Sequence, residues 1–321
     1  MDVAEFCTQS NVVVVAGKGG VGKTTVTAAL GLIGARAGLR VLLVGLDDQL
    51  GLPALFGQTE PLAYEAAPLV PDCSLGPGGG SLIGQVITSE AALLEYLGDH
   101  GLRRVAKRLV QTGTLDVIAT AIPGIREVLV LGKLKQLELA GAADLIVVDA
   151  PATGHALTFL TSSSGVLDAA RGGPLRSQAQ AVVEMLSDGK RCSVILVTVP
   201  EETPINELVQ SAYQLEDEVG IKLGPVVVNN CFPTNQSLRV DPATAAREDG
   251  LQVDQRALHV IEEAAAFALN QVQLQQDQLA RLSDALAIPR LILPSVFVAS
   301  AGPSELAQIA DALAEAIGAL A

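Results

Sequence analysis

Tryptophan is missing from the 321 residues, and aromatic side chains make up only 3% of them. So few rings leave no stacking platform for nucleic-acid bases. A surplus of positive charge is missing too: 21 Lys and Arg stand against 35 Asp and Glu, a net charge of −14. Nucleic acids and anionic membrane surfaces both bind through clustered Lys and Arg, so the balance argues against either partner. One basic run, Arg103-Arg104-Val105-Ala106-Lys107-Arg108, could hold an anion, but reads first as the solvated face of a helix. The four cysteines, Cys7, Cys73, Cys192 and Cys231, form no CxxC and no close pair. That excludes a disulfide scaffold, argues against a zinc site within the chain, and leaves them as small buried hydrophobes. No run of about 18 uncharged apolar residues occurs. The N-terminal MDVAEFCTQSN carries acidic residues and lacks the basic start of a signal peptide. The expectation is a soluble, cytoplasmic protein with no direct membrane insertion.

What is present is apolar and periodic. Hydrophobic residues reach 49% and mean hydropathy is +0.41, ample for a large core. Short β-branched runs recur at 12–16, 40–44, 145–148, 193–199, 225–229 and 291–293. Each is nearly continuous in apolar character, as for strands buried on both faces of a parallel sheet. Helical stretches separate them, at 23–37 and at 204–219, the latter starting with Thr203 before Pro204. The alternation predicts a doubly wound, mostly parallel α/β sheet, in a single domain spanning 1–321. Residues 85 to about 140 and 241 to about 286 read instead as helix after helix, predicting a helical subdomain over one edge or end of the sheet. The stretch PDCSLGPGGG at 71–80 reads as a flexible loop.

The chemistry begins at Gly17-Lys18-Gly19-Gly20-Val21-Gly22-Lys23-Thr24, which fits GxxxxGK[ST] with a strand before it and a helix after it. Glycines let backbone N–H groups turn inward around phosphate oxygens, and the helix N-terminus adds its positive end. Gly19, Gly20, Val21, Gly22, Lys23, Thr24 and Thr25 are the candidate ATP-binding residues, with Lys23 bridging the β and γ phosphates and Thr24 on Mg²⁺. Asp149, at the end of the apolar run LIVVD, reads as the carboxylate holding the metal's water shell, or else as a cap on the following helix. Asp47 ends another strand within reach of a γ-phosphate, where it could orient the attacking water.

With these residues in place, the chain resembles the ArsA family of ATPases, the arsenical-pump and tail-anchored-protein-targeting group within the class of MinD, ParA and the nitrogenase iron protein. The family's deviant loop KGGVGKT is matched by Lys18–Thr24, and its switch II sequence DTAPTGH by Asp149-Ala150-Pro151-Ala152-Thr153-Gly154-His155. Pro123-Gly124-Ile125-Arg126-Glu127 is also family-like, and Asn229 resembles the strand-end Asn that reads adenine. The resemblance covers residues 12 to about 300. It implies a dimeric ATPase in which Lys18 reaches the nucleotide of the other subunit, with action in cis as the alternative. Homodimer comes first, and pairing with a paralogous ATPase stays open.

The chain also departs from the family. Switch I, TDPAH in the family, reads Leu46-Asp47-Asp48-Gln49-Leu50 here, which implies slow or differently coupled hydrolysis. A weakly hydrolysing ATP-binding subunit is therefore the alternative function. No thiolate triad for arsenite is evident, the interfacial CxxC is absent, and two methionines are few for an adaptable client groove. A protein client remains possible on this reading. The spacing of the cysteines argues against an iron–sulfur reductase, and the acidic balance against a membrane- or DNA-positioning ATPase.

Overall fold

Alternate side chains of the central strands go to two different cores. Val13, Val15, Val41, Leu43, Leu145, Val147, Ile195 and Val197 enter one. Val12, Val14, Leu42, Val44, Ile146, Val148, Val194 and Leu196 enter the other. A strand has a period of two, so this division requires a sheet covered on both faces. The computed structural model describes residues 1–46, 51–71, 75–76, 78–102, 104, 106–108, 124–296 and 301–320.

In chain order the elements are α1 (Val3–Cys7), β1 (Val12–Gly17), α2 (Lys23–Arg36), β2 (Arg40–Gly45), α3 (Gly51–Leu55), β3 (Ala67–Pro68) and β4 (Ser81–Val86). There follow α4 (Ser89–Asp99), α5 (Ile125–Leu139), β5 (Leu145–Ala152), α6 (Thr153–Ala169), α7 (Pro174–Ser187), β6 (Cys192–Thr198) and α8 (Glu202–Gln214). The chain continues with β7 (Lys222–Leu223), β8 (Val226–Cys231), α9 (Pro242–Glu248), α10 (Gln255–Ala285), β9 (Arg290–Pro294) and α11 (Pro303–Gly318). The strands order as β3-β4-β2-β5-β1-β6-β8-β9, with β7 beside β6. Only the short β3 is antiparallel to its neighbour among the described pairings. This is the doubly wound, mostly parallel α/β architecture expected of a P-loop NTPase.

α2 and α11 cover one face of the sheet; α4 to α8 and α10 cover the other. α2 has no polar side over its middle, because ten consecutive residues, Val26 to Ala35, are buried between the sheet and α11. Gly31 permits that close approach, since a Cβ there would collide with Leu43 of β2. On the other face, Tyr64, Glu95 of α4 and Lys133 of α5 form a polar clasp, with Lys133 Nζ 2.6 Å from Glu95 Oε1 and the Tyr64 hydroxyl donating to the same carboxylate.

The helical reading of 85 onward starts too early. Residues 85 and 86 end β4, a strand whose apolar run is interrupted by Gly84 and Gln85 and so lacks the pattern of its neighbours. A Cβ on Gly84 would meet Leu62 and Leu69, which explains the glycine. The two helical segments lie on the same sheet face with different companions: α4 packs on α5, and α10 on α8 and α9. Residues 109–123 lie outside the described residues. Arg104, Lys107 and Arg108 are exposed on helical backbone. Among the described residues, no helix is long and apolar enough to cross a membrane.

Candidate nucleotide site

The site forms where the C-terminal ends of β1, β2 and β5 meet. Pairing puts Val15 of β1 and Gly45 of β2 level with Asp149 of β5. From there the chain turns through 17–22 into α2, with Gly20 at φ +84° and Gly22 at φ +91°. L-residues with side chains rarely adopt those angles. At Gly22 the constraint is doubled, because a Cβ would also strike the amide nitrogen of Asn229.

Thr24, in the first turn of α2, donates its hydroxyl to Asp149 Oδ2 at 2.7 Å. These are two hard oxygen donors aimed at one spot, which suits Mg²⁺ with its remaining positions left to water and phosphate. Lys23 Nζ donates to the Lys18 carbonyl at 3.2 Å and so lies folded along the inside of the loop. Burial lowers the Lys23 pKa, and the Asp149 carboxylate partly offsets that. The half-buried ammonium therefore lacks full solvation, a deficit that phosphate oxygens would make good. Beside Lys23, Thr24 and Asp149 opens a cavity of about 420 Å³, with Gly19, Gly45, Leu46, Pro151 and Ala152 also on its wall.

A second cavity, of about 260 Å³, lies across the loop between Gly20, Val21, Gly22, Thr25, Asn229 and Asn230. Asn229 Nδ2 donates to the Val21 carbonyl at 3.0 Å, so this side chain braces the loop as well as facing the cavity. Asn230 has φ +59°, which marks the break in the β8–β9 pairing between Val228 and Cys231. Asparagine is among the few residues that tolerate that angle. The sequence reading passed over Asn230, although two asparagines ending a β-branched run were a signal.

For Lys18 the loop pattern gives the residue but not the partner that holds it in its own chain. Its ammonium lies 2.7 Å from Glu207 Oε1 on α8, with both side chains more than a third exposed. No pattern links positions 18 and 207, so Glu207 carried no sequence signal. Asp47 and Asp48 lie outside the described residues, as do Pro123 and the side chains at 153–155. Cys7, Cys192 and Cys231 are buried on α1, β6 and β8, and burial pushes their thiols up to about 12, 12 and 11 respectively.

A strand–glycine loop–helix unit with a Thr–Asp oxygen pair at its floor defines a nucleotide-binding P-loop domain. Comparison with protein families agrees: residues 12–270 match the CobQ/CobB/MinD/ParA nucleotide-binding domain, and the chain belongs to that family. It is 31% identical to ATPase BagA of Mycobacterium tuberculosis over 304 residues, 88% of this chain and 86% of that protein. It is 27% identical to the arsenical pump-driving ATPase of Escherichia coli over 257 residues, 72% of this chain and 41% of that one. ATPase get3 of Schizosaccharomyces japonicus is 31% identical over 146 residues, 46% of this chain and 42% of that protein.

Proposed function

We propose that this protein is a Mg²⁺-dependent ATPase of the ArsA type, whose nucleotide state controls a two-fold dimer. The observation that carries the reading is the 2.7 Å pairing of Thr24 with Asp149 beside Lys23, at the mouth of a cavity of nucleotide-phosphate size. Backbone N–H groups of 19–24 bind phosphate oxygens, and Lys23 places its charge between the β and γ phosphates. Thr24 and Asp149 would hold Mg²⁺, which when bound would neutralise charge on the transferred phosphoryl group. Asp47 orients the attacking water, and Asn229 holds the adenine side of the loop. Lys18 contributes its cation to the facing subunit, in the manner of an arginine finger.

The dimer is a homodimer on this reading, in the cytoplasm. The helices α4, α5, α9 and α10 supply the client and partner surfaces. A small cavity bounded by Leu46, Ser89, Val130, Pro151 and Phe159 adjoins the nucleotide site and links the α4–α5 helices to it.

Calorimetry tests the assignment. Wild type should bind ATP with Mg²⁺, and Lys23→Ala should lose about tenfold or more in affinity. Undiminished binding by the variant would remove Lys23 from the site. Binding that is intact without any phosphate release in a single turnover would make the chain a regulatory ATP-binding subunit instead.

A further inference from the structure

α10 spans 31 residues, and its C-terminal half is the part anchored in the core. Leu279 and Leu282 pack beneath the sheet, and Arg281 reaches Asn206 of α8 at 3.0 Å. Gln275 accepts from the Phe232 N–H at 2.8 Å and donates to the Phe232 carbonyl at 3.2 Å. Phe232 follows directly on β8, so Gln275 marks the level of the sheet's C-terminal edge, the edge on which the phosphate loop opens. β8 and β9 are parallel, so the helix joining them runs against the strands. Its residues 255–274, about 30 Å of helix at 1.5 Å per residue, therefore rise beyond that edge.

One side of this projecting half is covered by α9 and the segment before it, around a cavity lined by Leu238, Ala245, Leu251, Leu258 and Ile261. Another side is bare. Val260, Phe267 and Leu274 are 58%, 64% and 48% exposed. With Ala264 and Gln271 between them they recur at alternating steps of four and three. That is the 3.5-residue period of a helix seam meeting another helix.

We propose that this stripe seats the same stripe of a second copy of the chain, with the two α10 helices antiparallel. Two matches of register and one symmetry argument select that occupant. Antiparallel layering sets Ala264 against Phe267 of the copy and Ala257 against its Leu274, small against large, with Val260 against Gln271 in the layer between them. The same register sets Arg256 beside Asp277 of the copy, and Ile261 beside its Ala268, so charge and apolar flanks both match. Finally, a two-fold axis that turns two C-terminal sheet edges toward each other reverses the strand direction, so a helix running against the strands meets its copy antiparallel. Centred between Ala264 and Phe267, this register holds the two edges about 28 Å apart at 1.5 Å per residue, so the seam belongs to a nucleotide-free dimer and not to the closed pair of the proposed function.

The test is cross-linking of the full chain without nucleotide. Chains carrying Ala264→Cys are mixed with chains carrying Phe267→Cys and oxidised. A 264–267 cross-link several-fold above either variant alone is expected. Homotypic 264–264 cross-linking, or none, overturns the arrangement. Phe267→Glu in the otherwise unaltered chain should abolish the nucleotide-free dimer in sedimentation while leaving the far-ultraviolet circular dichroism and the ATP affinity of the isolated subunit unchanged. A wild-type chain that stays monomeric at high concentration, or a variant that dimerises like wild type, assigns the stripe to another partner and overturns the proposal. Because Lys23→Ala should leave the cross-link untouched, failure of the seam and failure of the ATPase reading are told apart.

Discussion

Lys18 and Glu207, 189 positions apart, are joined by a 2.7 Å ion pair between the outer edge of the phosphate loop and α8. The lysine that the family resemblance assigns to the other subunit's nucleotide is thus held by a carboxylate of its own chain. For it to reach a partner's phosphate, that pair has to open. Its partial exposure keeps the cost of opening to about 1 kcal/mol or less.

Glu207→Gln should therefore ease the release of Lys18. In an isolated subunit the freed cation can settle on its own loop's phosphates, so ATP affinity should rise about two- to fivefold, the span of an exposed ion pair. The gain should shrink as salt is added. Titration calorimetry at low and high salt reads both effects, and an affinity that does not move would mean the pair is a bystander.

The Tyr64–Glu95–Lys133 clasp gives a pH-dependent prediction. Burial pushes the Glu95 carboxyl up, but the hydrogen bonds from Lys133 and Tyr64 outweigh it and hold the group below its ordinary 4.5. A depressed carboxyl contributes stability that is present above the unfolded value and lost as pH falls through the folded one. Lys133→Met should cost about 1.5–3 kcal/mol at neutral pH, the range for a hydrogen bond to a charged group. The wild-type and variant thermal midpoints should converge as pH falls below 4.5 and on through the lowered folded value. Parallel midpoints across the whole range would show that Glu95 owes nothing to Lys133.

Among the described residues the thiols argue against arsenic chemistry; Cys73 lies outside them. Cys7 packs on one sheet face and Cys192 and Cys231 on the other, all with thiols pushed up by burial. A soft metalloid needs thiolates gathered at one point. Arsenite and antimonite should leave ATP hydrolysis unchanged. Several-fold stimulation that disappears when Cys73, Cys192 or Cys231 is replaced would contradict this.

How much of this was legible in the sequence depended on distance along the chain. The phosphate loop is a local pattern, strand then glycines then helix, and the structure brings together the residues it named. Asp149 was legible because the apolar run Leu145–Val148 delivers it level with Val15 of β1, although β5 continues past it to Ala152. β4 was not, because Gly84 and Gln85 break the run that marks a buried strand, and Gly84 is there to make room for Leu62 and Leu69. Glu207 sits on an ordinary amphipathic helix, and only the fold brings α8 against the loop. The exposed side of α10 was hidden in the same way: its apolar residues were visible as helical, but burial decides which of them face a core and which face outward.

The central claim is that Lys18 serves the other subunit's nucleotide while Asp47 serves its own. Each variant alone, Lys18→Ala or Asp47→Asn, should bind ATP and hydrolyse it poorly, because each loss falls on the transition state. The most direct measurement is phosphate release from an equimolar mixture of the two, with mixed dimers confirmed by native mass spectrometry. In a mixed dimer one site keeps its own Asp47 and gains the partner's Lys18, so the account predicts activity well above that of either variant. Mixed dimers that form yet stay as inactive as their parents would place Lys18 in cis and contradict it.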